Sequence, residues 1–305
     1  MTTKNILNPT FEASLKAIEI ENFFDRVFYR PVGYQIALLL RNTGVTPNMI
    51  TIISIFFGVA AGWFFYPENI WQNLIGIGLL IFANILDCVD GQLARLTGIK
   101  SQVGRILDGV AGDLWFISIY SFLALRLAPY LGSGLAWTLA ALAGASNLVQ
   151  ANITDYYKTL HLFFISLTKG EEFDSVDNIR QRLEKMPKGI NRLLYRLYLY
   201  YTILQTKITP QLQKLLALLQ EKYGKDFPSE IRQQLREKSL KIIPNINLLT
   251  FNWRSIILFI SLIIGQVWLY LLWEIIVLNI GMVIAVGRHE AMCKEFRQRL
   301  PDFAN

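Results

Sequence analysis

The sequence predicts an all-α, polytopic membrane protein with six transmembrane helices and an N-terminal interfacial amphipathic helix. Three observations carry that prediction. Charge is absent from Asn42 to Pro67, from Asn69 to Leu86, from Leu127 to Thr154 and from Ser255 to Trp273. A bilayer core of ~30 Å takes ~20 apolar residues as helix, and these runs reach or approach that length. Hydrophobic residues make up 53% of the chain and charged ones only 17%. Soluble domains reach ~45–50% apolar, so the arrangement matters more than the average. Finally, the 33 residues between Arg254 and Arg288 are too many for one crossing and split into two. The alternative, a large soluble helical protein with buried helices, has no need of such long uncharged runs.

Residues 1–45 read as a cytoplasmic and interfacial segment. Phe, Leu and Tyr alternate there with Arg26, Arg30 and Arg41, and Pro31 is the expected break point. No signal peptide is expected, because Lys4, Glu12 and Lys16 precede any long apolar run. Thr46 can cap a helix and Pro47 suits its first position. Residues 46–158 then hold four spans, at about 47–66, 71–95, 103–127 and 134–158. Residues 159–247 differ: they carry 15 of the 30 Lys and Arg residues, interspersed with acids. "EEFDSVDNIRQRLEKM", "INRLLYRLYLYYTILQTKI" and "SEIRQQLREKSLKI" read as amphipathic helices separated by "PKG", "TP" and "DFP". This stretch is a cytoplasmic helical insert with basic faces suited to anionic lipid. Residues 248–305 hold two spans, about 248–269 and 271–288, joined near "WLYLLWE", and a tail.

Orientation follows from Lys and Arg in the loops. With six spans the outer loops carry only Arg126, and the other 29 basic residues lie on the cytoplasmic side with both termini. Two cysteines, Cys88 and Cys293, are too few for a disulfide framework. The net charge of +7 points to anionic lipid headgroups and not to nucleic acid, which would call for a basic stripe with interleaved aromatics on a soluble domain.

"DCVDGQLARLTGIKSQVGRILDGVAGD", Asp87 to Asp113, breaks the apolar pattern. Acids inside a lipid-facing run cost several kcal/mol and mark function. At ~100° per residue, Asp87, Asp90, Gly91, Ala94 and Arg95 share one sector of the second span. Gly104 and Asp108 share a face of the third. Two antiparallel helices joined by the short loop can bring Asp87, Asp90 and Asp108 together. Carboxylates crowded this way repel unless a cation sits among them. Oxygen-only ligands favour Mg²⁺, Mn²⁺ or Ca²⁺ over zinc. Magnesium held by carboxylates commonly partners a substrate phosphate, and Arg95 adds a bidentate phosphate ligand. In the plainer reading these acids pair with Arg95 and Arg105 and mark helix ends.

The stretch resembles the CDP-alcohol phosphotransferases, whose pattern is D-x-x-D-G-x-x-A-R, about eight residues, then G-x-x-x-D-x-x-x-D. Asp87, Asp90, Gly91, Ala94, Arg95, Gly104 and Asp108 match it at the expected spacing. The "TPN" before the first span and the six-span count are also similar to the family. The motif covers about 27 residues and the looser resemblance roughly 20–155. The family's last Asp stands four residues after the third; here that place is Gly112, and Asp113 follows one later. On a regular helix Asp113 lies 140° from Asp108, as five steps of ~100° require. A one-residue π-bulge, made easy by Gly109 and Gly112, would return Asp113 to the site. Otherwise the base is water or another group, or the chain is an inactive relative.

The resemblance implies two ions of Mg²⁺ or Mn²⁺ on Asp87, Asp90, Asp108 and Asp113, with Asp113 as general base. Gly91, Ala94, Arg95 and Gly104 would hold the nucleotide and phosphates. Lys100, Arg105 and Tyr157 are candidates for binding the acceptor, or are positive-inside and aromatic-belt residues. The implied reaction moves a phosphatidyl group from a CDP-alcohol, CDP-diacylglycerol first, to the hydroxyl of a small polar alcohol, with release of CMP. The implied setting is a bacterial cytoplasmic membrane and a homodimer. Competing readings are a CDP-amino alcohol transferase acting on diacylglycerol or a sphingoid lipid, a degenerate CDP-lipid-binding scaffold, an intramembrane prenyltransferase and a cation transporter. Gly-x-x-Ala-Arg after Asp90 argues against the prenyltransferase. A transporter places acids near mid-membrane, not at one end. His289 in "GRHEAMCKEF", near Glu290 and Cys293, is a metal ligand or an interfacial helix end.

Overall fold

The computed structural model describes residues 11–166, 174–224 and 228–299, and these are helical throughout with no strand. Two compact units divide between Phe122 and Leu123, inside a helix, and each is described by itself.

In the first unit, short 3₁₀ turns at Glu12–Ser14 and Ile18–Ile20 lead into a π turn, Asp25–Tyr29, and α1, Arg30–Leu40. Helix is continuous from residue 23 to 40, so Pro31 does not break it. Proline lacks the amide that would bond back one turn and its ring crowds the carbonyl there. The wide π turn just ahead of Pro31 absorbs both effects. Tyr29, Gly33 and Ala37 are buried, while Phe23, Val27, Phe28 and Leu39 are exposed.

α2 runs Pro47–Phe64, capped by Thr46, whose hydroxyl accepts the Met49 amide at 3.4 Å. α3 runs Ile70–Thr97, capped by Asn69, which accepts the Trp71 amide at 2.9 Å. α4 runs Gln102–Leu131 and is α-helical from end to end, without the π-bulge considered above. Close approach of α2 to α4 depends on glycine. A Cβ on Gly58 would sit 2.2 Å from the Trp115 ring, and one on Gly62 2.4 Å from the Ser118 hydroxyl. Ser118 also donates to the Val59 carbonyl at 2.8 Å.

The second unit contains α5, Ser133–Ile165, and α6 to α9 at Val176–Glu184, Ile190–Ile208, Pro210–Tyr223 and Ser229–Leu240. α10 (Ile243–Asn247) and α11 (Phe251–Ile263) follow. The chain then turns at Gly265, whose φ of +73° suits a residue without a side chain. "WLYLLWE" is therefore helix and not the turn expected there: α12 (Trp268–Leu272), a π turn (Trp273–Val277) and α13 (Leu278–Arg299) run on without a break. Arg254 and Glu274 form a buried ion pair at 2.8 Å. Gln150 accepts from Arg254 at 2.8 Å and donates to Asn279 at 2.9 Å, so α5, α11 and α13 share one network.

Among the described residues, five stretches are long and apolar enough to cross a membrane: Pro47–Phe64, Ile70–Thr97, Gln102–Leu131, Ile243–Ile263 and Trp268–Arg299. The expected fourth span, within α5, is not among them. Asn147, Gln150 and Asn152 dilute its apolar run, and all three are buried. Large apolar side chains such as Ile52, Phe56, Trp63, Trp71 and Ile117 stand exposed on the other helices, as lipid-facing groups do.

Candidate active site

The acidic stretch folds as two helices and a tight loop. Gly98 ends α3 in the left-handed region at φ +74°, a conformation that costs a side-chain-bearing residue free energy. Ser101 starts α4, its hydroxyl accepting the Gly104 amide at 2.9 Å. The loop thus reverses the chain within a few residues. Asp87 and Asp90, one turn apart near the end of α3, come to face Asp108 in the second turn of α4.

Each of Asp87, Asp90 and Asp108 offers a carboxylate oxygen within 4.8 Å of the others, among the described residues. Asp90 is only 3% exposed. Three carboxylates at this separation repel strongly in a low-dielectric setting, and a hard cation among them removes the repulsion. The donor set is oxygen only, so it fits Mg²⁺ or Mn²⁺. Asp113 is not in the group. Five residues of regular helix turn it 140° from Asp108, so the register of α4 keeps it away from the other three.

Sequence reasoning missed the support around the carboxylates. Thr51, one turn into α2, donates to Asp90 Oδ2 at 2.6 Å. A Cβ on Gly104 would lie 2.6 Å from Asn48 Oδ1, so Gly104 lets the start of α2 approach α4. The signal was present in "TPNMIT", where Asn48 and Thr51 follow the cap at helical spacing. Arg95 does not reach out freely. Its Nε donates to the Ser14 carbonyl, and the neighbouring Gln92 donates to the Ser14 hydroxyl at 3.0 Å and to the Arg30 carbonyl at 3.1 Å. A Cβ on Gly91 would stand 3.3 Å from the Arg95 guanidinium, so glycine leaves that face open. Arg30 in turn pairs with Glu21 at 3.3 Å. The N-terminal segment therefore sets the direction of Arg95, a link between residues 81 apart that no local pattern reveals.

Ala94 is half-buried on the same turn of α3 as Arg95. Lys100 is exposed in the loop, and Arg105 is half-buried at the start of α4. Tyr157 lies in the second unit, where its ring stacks on His289 at 4.2 Å between centroids. It does not end its helix, because α5 continues to Ile165.

Comparison with known proteins bears on this region. Residues 44–167 match the family model described as CDP-alcohol phosphatidyltransferase. Archaetidylinositol phosphate synthase of Pyrococcus horikoshii is 41% identical over 91 residues, 30% of this chain and 47% of that protein. Phosphatidylinositol phosphate synthase of Cutibacterium acnes is 31% identical over 140 residues, 46% of this chain and 63% of that protein. CDP-diacylglycerol–serine O-phosphatidyltransferase of Helicobacter pylori is 32% identical over 111 residues, 35% of this chain and 46% of that protein. The chain spans between about half and just under two thirds of the length of these relatives. The matched residues include the whole of α2 and α3 and all three clustered carboxylates, and through them the chain belongs to the CDP-alcohol phosphatidyltransferase family, transferases of phosphorus-containing groups.

Proposed function

We propose that this protein transfers a phosphatidyl group from a CDP-alcohol, CDP-diacylglycerol first, to the hydroxyl of a small polar alcohol and releases CMP. The carrying observation is the cluster of Asp87, Asp90 and Asp108 oxygens within 4.8 Å, inside a matched family region. These residues would hold Mg²⁺ or Mn²⁺, two ions as the family resemblance implies. When bound, such ions offset the negative charge of the diphosphate and of the departing phosphate. Asp90 is held in place by Thr51. Arg95, aimed by Ser14, meets a phosphate oxygen with its remaining guanidinium donors. Gly91, Ala94 and Gly104 leave room for the nucleotide against the helices. The acceptor oxygen attacks the β-phosphorus, a new P–O bond forms, and the bond to the α-phosphate oxygen breaks. That oxygen departs on CMP, and the acceptor's proton goes to a base.

Lys100 and Arg105 flank the acids and suit an acceptor that itself carries a phosphate. In this reading α5 counts as a sixth crossing, and the acids and both termini face the cytoplasm, where water-soluble CMP is released. Residues 23–40, with Phe23, Val27, Phe28 and Leu39 exposed, lie along the interface. The insert at 159–247 rests its basic faces on anionic lipid. The membrane is of bacterial cytoplasmic type, and the working form is a homodimer.

One observation favours a second reading. The displaced Asp113 fits a CDP-lipid-binding scaffold without catalysis. The test is Mg²⁺- or Mn²⁺-dependent CMP release by the detergent-purified protein from CDP-diacylglycerol, across serine, glycerol phosphate, inositol and inositol phosphate. Release with one acceptor, abolished by Asp108→Asn, is the expected result. Should nothing be released, CDP-amino alcohols with diacylglycerol or a sphingoid base come next. Silence there, with CDP-lipid still bound, establishes the scaffold.

A further inference from the structure

The second unit holds a cluster of different chemistry. His289 and Cys293 stand one turn apart on α13, at 2% and 0% exposure. Their Nδ1 and Sγ atoms are 3.5 Å apart. A Glu290 carboxylate oxygen lies within 4.8 Å of both ligand atoms. We propose that His289, Glu290 and Cys293 form a zinc site that staples α13 to the insert helix α8.

Four features support this assignment. The first is distance. Zinc–nitrogen bonds of ~2.0–2.1 Å and zinc–sulfur bonds of ~2.3 Å put two tetrahedral ligands roughly 3.5 Å apart, the separation found here. The second is donor type. Imidazole and thiolate select zinc, whereas the all-oxygen set of Asp87, Asp90 and Asp108 selects magnesium or manganese. The third is charge. A divalent cation with one thiolate and one carboxylate is neutral overall, which suits a buried place.

The fourth is the surroundings. Glu290 is already oriented: its two oxygens accept the Gln211 and Leu212 amides at 2.6 and 3.2 Å. Pro210, at the first position of α8, has no amide to offer, so Gln211 and Leu212 are the first free donors of that helix. Each carboxylate oxygen keeps a second lone pair for a metal, and the amides act as the outer contacts that fix a ligand. Tyr157 covers the cluster. Its side chain is 1% exposed, its ring stacks on His289 and its hydroxyl has no hydrogen-bond partner. Glu290 and Cys293 are the ionisable groups within electrostatic reach of that hydroxyl, with the neighbouring Tyr156. A buried hydroxyl without a partner costs ~1–3 kcal/mol. A water in the fourth zinc position would satisfy it.

The test uses the full-length protein in detergent, stripped of metal by a chelator and titrated with Co²⁺ and then Zn²⁺. The expected result is one equivalent of Co²⁺ giving a thiolate-to-metal charge-transfer band, displaced by Zn²⁺ and not by Mg²⁺, with a rise in melting temperature. His289→Gln and Cys293→Ser should each weaken zinc binding by at least about tenfold, with the band lost in the latter. Cys88→Ser and Asp87→Asn should leave both zinc binding and the band intact. Absence of the charge-transfer band in the wild type overturns the proposal without any variant having to fold. So does a band that survives Cys293→Ser or disappears with Cys88→Ser. The readout is metal binding, so failure of the transferase reading leaves it standing.

Discussion

At the residue scale, the candidate active site is a set of carboxylates with defined supports. Asp87, Asp90 and Asp108 offer their oxygens to one point, and Thr51 ties Asp90 to α2. Thr51→Val removes a hydrogen bond to a charged group, worth ~1.5–3 kcal/mol, and should lower kcat/KM for CMP release by about tenfold or more. Thr51→Ser should retain most activity. Asp108→Asn removes a member of the cluster and should cost at least about a hundredfold, the range of a lost acid–base or metal-holding group. Asp113→Asn should cost clearly less in the same assay, because the regular register of α4 turns Asp113 away from the cluster. Chelation should abolish the reaction in wild type, and added Mn²⁺ or Mg²⁺ should restore it.

At the element scale, the loop between α3 and α4 and the contact between α2 and α4 decide whether the carboxylates meet. Gly58 and Gly62 let those helices close. Gly58→Val places branched carbons where Trp115 already stands, and overpacking of this kind costs ~1–3 kcal/mol. A lower melting temperature in detergent, with loss of CMP release near that temperature, is the expected outcome. The N-terminal segment acts through contacts of the same sort. Ser14 accepts from both Gln92 and Arg95, so the segment before the first long helix aims the arginine that the motif supplies.

At the scale of the whole molecule, the ion pair of Arg254 and Glu274 stands out, because both side chains are buried in helices apolar enough to cross a membrane. Removing one partner leaves an uncompensated buried charge, which costs ~3–5 kcal/mol. Arg254→Met should therefore lower the melting temperature sharply. Arg254→Met combined with Glu274→Leu should recover much of the loss. Thermal melts of the single and double variants in the same detergent check both statements. The π turn at Trp273–Val277 begins beside Glu274 and locally widens the helix that carries it.

Much of the fold was legible in the sequence, because lipid solvent and helix chemistry act locally. Uncharged runs predicted the long helices, Thr46 and Pro47 marked the start of α2, and the residues chosen for one insert helix coincide with α7. The carboxylate cluster was legible for the same reason: helical spacing puts Asp87 and Asp90 on one face, and a short loop leaves Asp108 nowhere else to go. Other features depended on contacts between distant parts of the chain. A π turn lets Pro31 sit inside a continuous helix, and Gly265 places the last turn ahead of "WLYLLWE". Asn147, Gln150 and Asn152 take α5 off the set of clearly membrane-spanning helices. The hold of Ser14 on Arg95, of Thr51 on Asp90 and of the α8 amides on Glu290 joins residues that share no local pattern. The sequence by itself determined which segments are helical and apolar and which acids share a face. Only the tertiary structure decided which of those acids come together and what holds them, because that depends on packing distances set by every helix at once.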